Sequence, residues 1–111
     1  MTVVESFHFL RDSEAIFEDD ERSALVAFLG QFPEAGVIIP GTGGIRKLRW
    51  ALPGMGKRGG ARVIYYFHNE RVPLILLTVY AKSARANLSV AERNKMKLLV
   101  PKLVESFSKL H

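Results

Sequence analysis

No cysteine occurs in this chain, which excludes disulfides, thiolate metal sites and a cysteine nucleophile and fits a reducing cytosol. No long hydrophobic run occurs either. The longest, Pro73 to Val79, falls far short of the roughly 20 apolar residues a membrane-spanning helix needs. Met1 leads straight into Thr2-Val3-Val4-Glu5 without the basic and apolar segments of a secretory signal. The expected location is the cytoplasm, with no membrane partner. His8, His68 and His111 are scattered and show no metal-ligand spacing, so a histidine acid–base pair is not expected. Acid is scarce where base is abundant: between Gly41 and Lys82 the only carboxylate is Glu70.

What remains is ordinary globular material. The 111 residues are 48% apolar and 24% charged, which suits one domain over residues 1–111. The net charge of +5 conceals an asymmetry. Residues 1–34 carry eight acids and two bases, a net of −6, whereas residues 35–91 carry one acid and nine bases, a net of +8, and residues 92–111 add +3. A charge run is usually only a solvated face. Here the cationic middle coincides with a segment where Trp and Tyr interleave with Lys and Arg at strand-like spacing, GTGGIRKLRW and then KRGGARVIYY. Clustered cations with aromatic rings hold phosphates and stack bases, so the segment points to RNA or DNA.

The pattern of elements is legible in outline. Thr2 to Phe7 alternates weakly and reads as a strand. Phe9, Leu10, Ala15, Ile16 and Phe17 suggest a short helix, and Asp19 or Asp20 can cap a second one carrying Leu25, Phe28, Leu29 and Phe32 at helical intervals. Pro33 stops it, and Pro40-Gly41-Thr42-Gly43-Gly44 is a turn-rich connector. Strands are expected over roughly residues 45–51, 61–68 and 73–80, with a glycine-rich basic loop around Lys57 and Arg58 between the first two. Ser89 with Glu92 three residues on is a capping-box pattern opening a helix striped by Met96, Leu99, Leu103, Phe107 and Leu110. Pro101 predicts a kink or a break in it. The order β-α-α-β-β-β-α implies an α+β fold, an antiparallel sheet of about four strands packed on helices.

Strand alternation sorts the side chains by chemistry. Leu48, Trp50, Val63, Tyr65, Phe67, Ile75, Leu77 and Val79 fall on one face, against the helices. Lys47, Arg49, Arg62, Tyr66, Tyr80 and Lys82 gather on the other. Trp50 and Tyr65 read as core aromatics, and Arg46, on the helix side, as a snorkelling or ion-paired residue. Tyr66 and Tyr80 also suit strands for reasons unrelated to function. Lys57 and Arg58 in the loop either meet solvent or close over a phosphate. The run Gly54-Met55-Gly56-Lys57-Arg58 is not a Walker phosphate loop, because Ala51 and Arg58 stand where glycine and Ser or Thr are needed and a strand follows.

These blocks, with Pro33 to Gly36, Leu77 to Lys82 and Asn87-Leu88-Ser89, resemble the RelE/HigB toxins of type II toxin–antitoxin modules, and HigB-like members in particular. The resemblance covers nearly the whole chain, and the element order is that of the RelE-like fold. It implies a ribosome-dependent mRNA endoribonuclease that inhibits translation and is restrained by a cognate antitoxin, an HTH-bearing one by analogy, in a toxin–antitoxin hetero-oligomer. On that resemblance Lys47 and Arg49 look like the family's paired basic residues, Arg62 like its arginine beside the scissile phosphate, and Lys82 like its basic residue after the last strand. Several RelE toxins carry a catalytic tyrosine in the C-terminal segment. Residues 83–111 hold none, which leaves the proton-transfer role open, with Tyr66 and Tyr80 as candidates.

The chemistry is consistent with those assignments. Cleavage of RNA by its own 2′-hydroxyl requires a proton acceptor, stabilisation of a charged phosphorane-like state and protonation of the leaving oxygen. Preorganised positive charge serves the second need. A lysine crowded by cations loses its proton more readily, so Lys47 is the candidate base, Arg49 and Arg62 the phosphate clamps, and Lys82 the leaving-group partner. Arg46, Lys57, Arg58 and Arg85 are expected to hold RNA. The cluster lacks carboxylates, which speaks against a magnesium site, and no cofactor is expected. A non-catalytic RNA- or antitoxin-binding module on the same fold is the alternative.

Overall fold

The computed structural model describes residues 1–51, 60–85 and 87–109, with side chains through residue 107. Lys57, Arg58 and most of the expected glycine loop lie outside the described residues. At the centre stand β4 (Ala61–Tyr66) and β5 (Leu74–Ala81), in which every residue but Ala81 is buried. So continuous an apolar sequence is satisfied only where both faces of a sheet are covered. β3 (Ile45–Trp50) pairs antiparallel with β4, and β4 with β5. Two short edge strands complete the sheet. β2 (Val37–Ile38) lies antiparallel to β3, and β1 (Val3–Glu5) lies parallel to β5. The order is β1-β5-β4-β3-β2.

The α+β architecture is as expected, with two corrections to the sheet. It has five strands, because two exposed residues form β2, too few to leave an alternation pattern in the sequence. Its first strand is parallel to its neighbour, a direction that no local signal encodes.

α1 (Phe7–Ser13) opens on Ser6, whose Oγ accepts from the Phe9 amide at 3.1 Å and donates to the Leu77 carbonyl at 3.2 Å. α2 (Asp19–Gln31) is capped at Glu18 instead of an aspartate, and the Glu18 amide donates to Glu21 Oε1 at 2.9 Å. Both helices cover one face of the sheet. Phe9, Phe17, Leu25 and Leu29 pack there on Leu48, Val63, Tyr65, Phe67, Leu74, Leu76 and Val79. α3 (Val90–Lys109) covers part of the other face, where Val100, Met96, Leu103, Val104 and Phe107 meet Ile45, Ile64, Tyr66, Ile75, Leu77 and Tyr80.

Several expectations about that second face change. Ile75 and Leu77 lie under α3, and Leu76 faces α1 and α2. The β4–β5 pairing steps from Ile64–Thr78 to Tyr65–Leu76, and an irregularity of one residue flips every side chain beyond it. Tyr66 and Tyr80, assigned to an open face, are covered by the helix. α3 does not break at Pro101: proline removes one donor, while packed residues on either side of it hold the helix to the sheet. Leu99 lies off the buried stripe, which Val100 and Val104 complete. Among the described residues no helix is long and apolar enough to cross a membrane.

Candidate active site

Beside α3, four of the expected cations converge. Lys47 and Arg49 come from β3, Arg62 from β4, and Lys82 follows β5; with Val37 and Asn87 they line a cleft of about 410 Å³. Register produces this convergence. Arg49 stands directly opposite Arg62, Lys47 opposite Ile64, and Arg62 opposite Tyr80. The β5 exit is tied to the start of β4 by the Lys82 amide, which donates to the Gly60 carbonyl at 3.0 Å.

The electrostatics of the cleft are unfavourable to the fold alone. Like charges directly opposite each other destabilise a sheet, yet Arg49 and Arg62 are so placed and Arg62 is only 7% exposed. No carboxylate is among the described lining residues. A surplus of fixed positive charge is what a site for an anion, or for charge developing in a transition state, requires. Lys47 Nζ donates to Asn87 Oδ1 at 3.0 Å. A neutral carboxamide steers the ammonium without cancelling its charge. Sequence reasoning missed Asn87, which is 40 residues from Lys47 and carries no periodic signal.

The two tyrosines do not line this cleft. Each is 5% exposed within the core beneath α3. Burial raises the Tyr66 hydroxyl above its ordinary pKa. Burial also raises Tyr80, against the smaller opposing pull of Arg85 and Arg62. Arg85 lies over the Tyr80 ring, 4.5 Å from its centroid, and forms a hydrogen-bonded ion pair with Glu92. That bond, followed by the one from the Ser89 amide, holds the Glu92 carboxyl at about 2. The expected capping box is present: the Ser89 amide donates to Glu92 Oε1, and the Glu92 amide to Ser89 Oγ, each at 3.1 Å. Arg85 thus fastens the β5–α3 connection beside the cleft.

Arg46 belongs to the opposite face. Its Nη1 donates to the Gly36 carbonyl at 2.9 Å and the Glu34 carbonyl at 3.3 Å, with its guanidinium over the Phe67 ring. The same turn is held by Tyr65, whose hydroxyl donates to the Pro33 carbonyl and accepts from the Gly36 amide, both at 2.8 Å. A larger groove of about 990 Å³ is lined by Phe28, Phe32, Phe67, His68 and Arg71 among others. It contains none of the expected site residues and mixes both signs of charge, so the smaller cationic cleft is the better candidate.

A family model described as the RelE toxin of the RelE/RelB toxin–antitoxin system matches residues 36–109. That span holds the cleft, the four strands β2 to β5 and α3. With an α+β fold of five strands and three helices among the described residues around it, the chain belongs to the RelE toxin family, whose members pair with an antitoxin.

Proposed function

We propose that this chain is a metal-independent endoribonuclease that cuts translated mRNA on the ribosome and is silenced by its antitoxin. The observation that carries the reading is the cleft in which Lys47, Arg49, Arg62 and Lys82 converge without a carboxylate among the described lining residues. Arg62 and Arg49 grip the scissile phosphate and offset the charge that grows on it. The 2′-oxygen attacks phosphorus, the bond to the 5′-oxygen breaks, and the products are a 2′,3′-cyclic phosphate and a free 5′-hydroxyl. The 2′-hydroxyl proton passes to Lys47 or a water it holds, and the leaving oxygen takes one from Lys82. Arginine stays protonated and does neither. The buried tyrosines, with raised pKa, stay protonated and are ill suited to take or give the proton, and Tyr80 lies under Arg85 as a packed floor.

An open cleft without a histidine among its described lining residues lacks the near-neutral acid and base that unassisted nucleases use. Docking in the ribosome would exclude water and hold the 2′-hydroxyl in line, supplying the positioning the protein lacks. The test compares the cleavage rate of one mRNA, free and in a programmed ribosome with an empty A site. Much faster cutting on the ribosome is expected; equal rates would make this an ordinary ribonuclease, and no cutting in either state would leave a binding module. The antitoxin reading rests on family membership and on the net +8 of residues 35–91. An HTH-bearing antitoxin in a hetero-oligomer is expected to co-purify from the native operon, and purification of the toxin alone would count against it.

A further inference from the structure

We infer that Val37 and Asn87 select the nucleotide at which the strand is cut, by holding the base next to the attacking 2′-hydroxyl and favouring guanine over adenine. The inference rests on the cleavage reading above and adds the identity of the base, which that reading leaves open. Six described residues line the cleft, and four of them are cations. Contacts to phosphate fix register and orientation but carry no sequence information. Val37 and Asn87 are the two described lining residues without a charge to offer a phosphate.

Both residues adjoin Lys47. Val37 is its register partner between β2 and β3, so the two side chains leave the same face of the sheet with Cβ atoms about 5 Å apart. Asn87 accepts from the Lys47 ammonium at 3.0 Å. In the proposed reaction Lys47, or a water it holds, takes the 2′-hydroxyl proton. The base of that nucleotide hangs on C1′, the carbon bonded to C2′, and so lies beside Lys47 and against these two neighbours.

Each neighbour suits a different part of a base. Val37 is 74% exposed. Single exposed apolar residues are ordinary, but this one stands in a cationic cleft where no other described lining residue is apolar. A flat base laid on it removes apolar surface from water on both partners. Asn87 supplies hydrogen bonds. Lysine has donors only, so the amide atom that meets Lys47 Nζ is Oδ1, and the two N–H donors of the carboxamide are left for a ligand. Its neighbours in the chain hold it in place. Arg85 is clasped to Glu92, Leu88 packs against the core under α3, and Ser89 caps that helix.

An asparagine with both ends available pairs with adenine, donating to N7 and accepting from N6. With Oδ1 engaged by Lys47, Asn87 only donates. Guanine presents two acceptors on that edge, O6 and N7, whereas adenine sets its own N6 amino group against the amide donors. The two purines have nearly the same shape, so Val37 treats them alike and the difference falls on Asn87.

The experiment is cleavage of one mRNA in a programmed ribosome with an empty A site, with the nucleotide 5′ of the cut varied and the products mapped by their 5′ ends. The wild-type protein should cut after guanine about ten-fold faster than after adenine, within the usual discrimination of a base contact. Inosine, which keeps O6 and N7, should be cut like guanine. Asn87→Ala should bring the guanine-to-adenine ratio to about one. Asn87→Asp, which places an acceptor where the donors were, should reverse it, whatever the overall rate. Val37→Ala should slow cutting after both purines by about four-fold and leave their ratio unchanged. Unfolding midpoints of the variants verify that each is folded, and the inosine comparison needs no variant. Equal cutting after guanine and adenine by the wild type, or inosine cut like adenine, would overturn the inference and leave the cleavage reading intact. So would a guanine preference that survives in Asn87→Ala, which would pass to Arg49, whose guanidinium forks onto O6 and N7. Failure of the wild-type protein to cut any of the messages would remove the cleavage reading itself.

Discussion

The two faces of the sheet solve opposite problems. Under α1 and α2 the packing is complete: Phe9, Leu25, Leu29, Val63, Tyr65, Leu74 and Leu76 are each 0% exposed. Its core hydroxyls are bonded there, with Tyr65 bonded on both sides of the turn and Thr78 Oγ1 donating to Asp12 Oδ2 at 2.6 Å, while Arg46 Nε is buried on that side without a hydrogen-bond partner. Under α3 the described residues of the helix supply one buried side chain, Val100, and several half-buried ones. The rest of that face is a cleft where cations oppose cations. Stability concentrated in one layer lets the other carry repulsion that a uniformly packed protein would shed, and strain of this kind marks functional sites.

The contrast can be broken most forcefully from the packed side. Phe9→Ala should lower unfolding stability by about 3–5 kcal/mol in urea titration. Leu103→Ala on α3 should cost only about 1 kcal/mol, a half-buried leucine losing part of its transfer value. Equal losses would mean the two cores contribute alike. The complementary experiment is Arg62→Ala, which should reduce ribosomal mRNA cleavage by about 10²–10³-fold, the usual effect of removing one transition-state charge partner. Its unfolding midpoint should stay level or rise, because the repulsion with Arg49 disappears. A destabilised variant that still cut would reverse the assignment.

Smaller changes sharpen the same comparison. Tyr65→Phe leaves the buried Gly36 amide and the Pro33 carbonyl without their partner, at an expected cost of about 1–3 kcal/mol with little change in cleavage. On the α3 side, Glu92→Gln tests the clasp with Arg85. The folded-state value of Glu92 is lowered to about 2, so its contribution is present above the unfolded value of about 4.3 and is lost as pH falls toward 2. The melting-temperature gap between wild type and Glu92→Gln should therefore be small at neutral pH and close between those limits. A gap that persisted in acid would show that the clasp is not ionic.

Much of this fold is written locally. Ile45 to Trp50 and the long apolar runs of β4 and β5 mark their strands, because alternation and burial persist over six or more residues. Ser89 and Glu92 mark the start of α3 because a capping box is complete within one turn. The gathering of Lys47, Arg49 and Arg62 also follows from period-two alternation once β3 and β4 are paired. Only the tertiary structure decided the rest. β2 is too short to signal itself, and β1 finds a parallel neighbour 71 residues away. One step in the β4–β5 register moved Leu76 to the opposite core from Ile75 and Leu77. The docking of α3 took Tyr66 and Tyr80 out of solvent and brought Asn87 to Lys47. Periodicity records which side chains share a face of their own element. Which element covers that face depends on the balance of all the packing contacts at once, and that balance has no local trace.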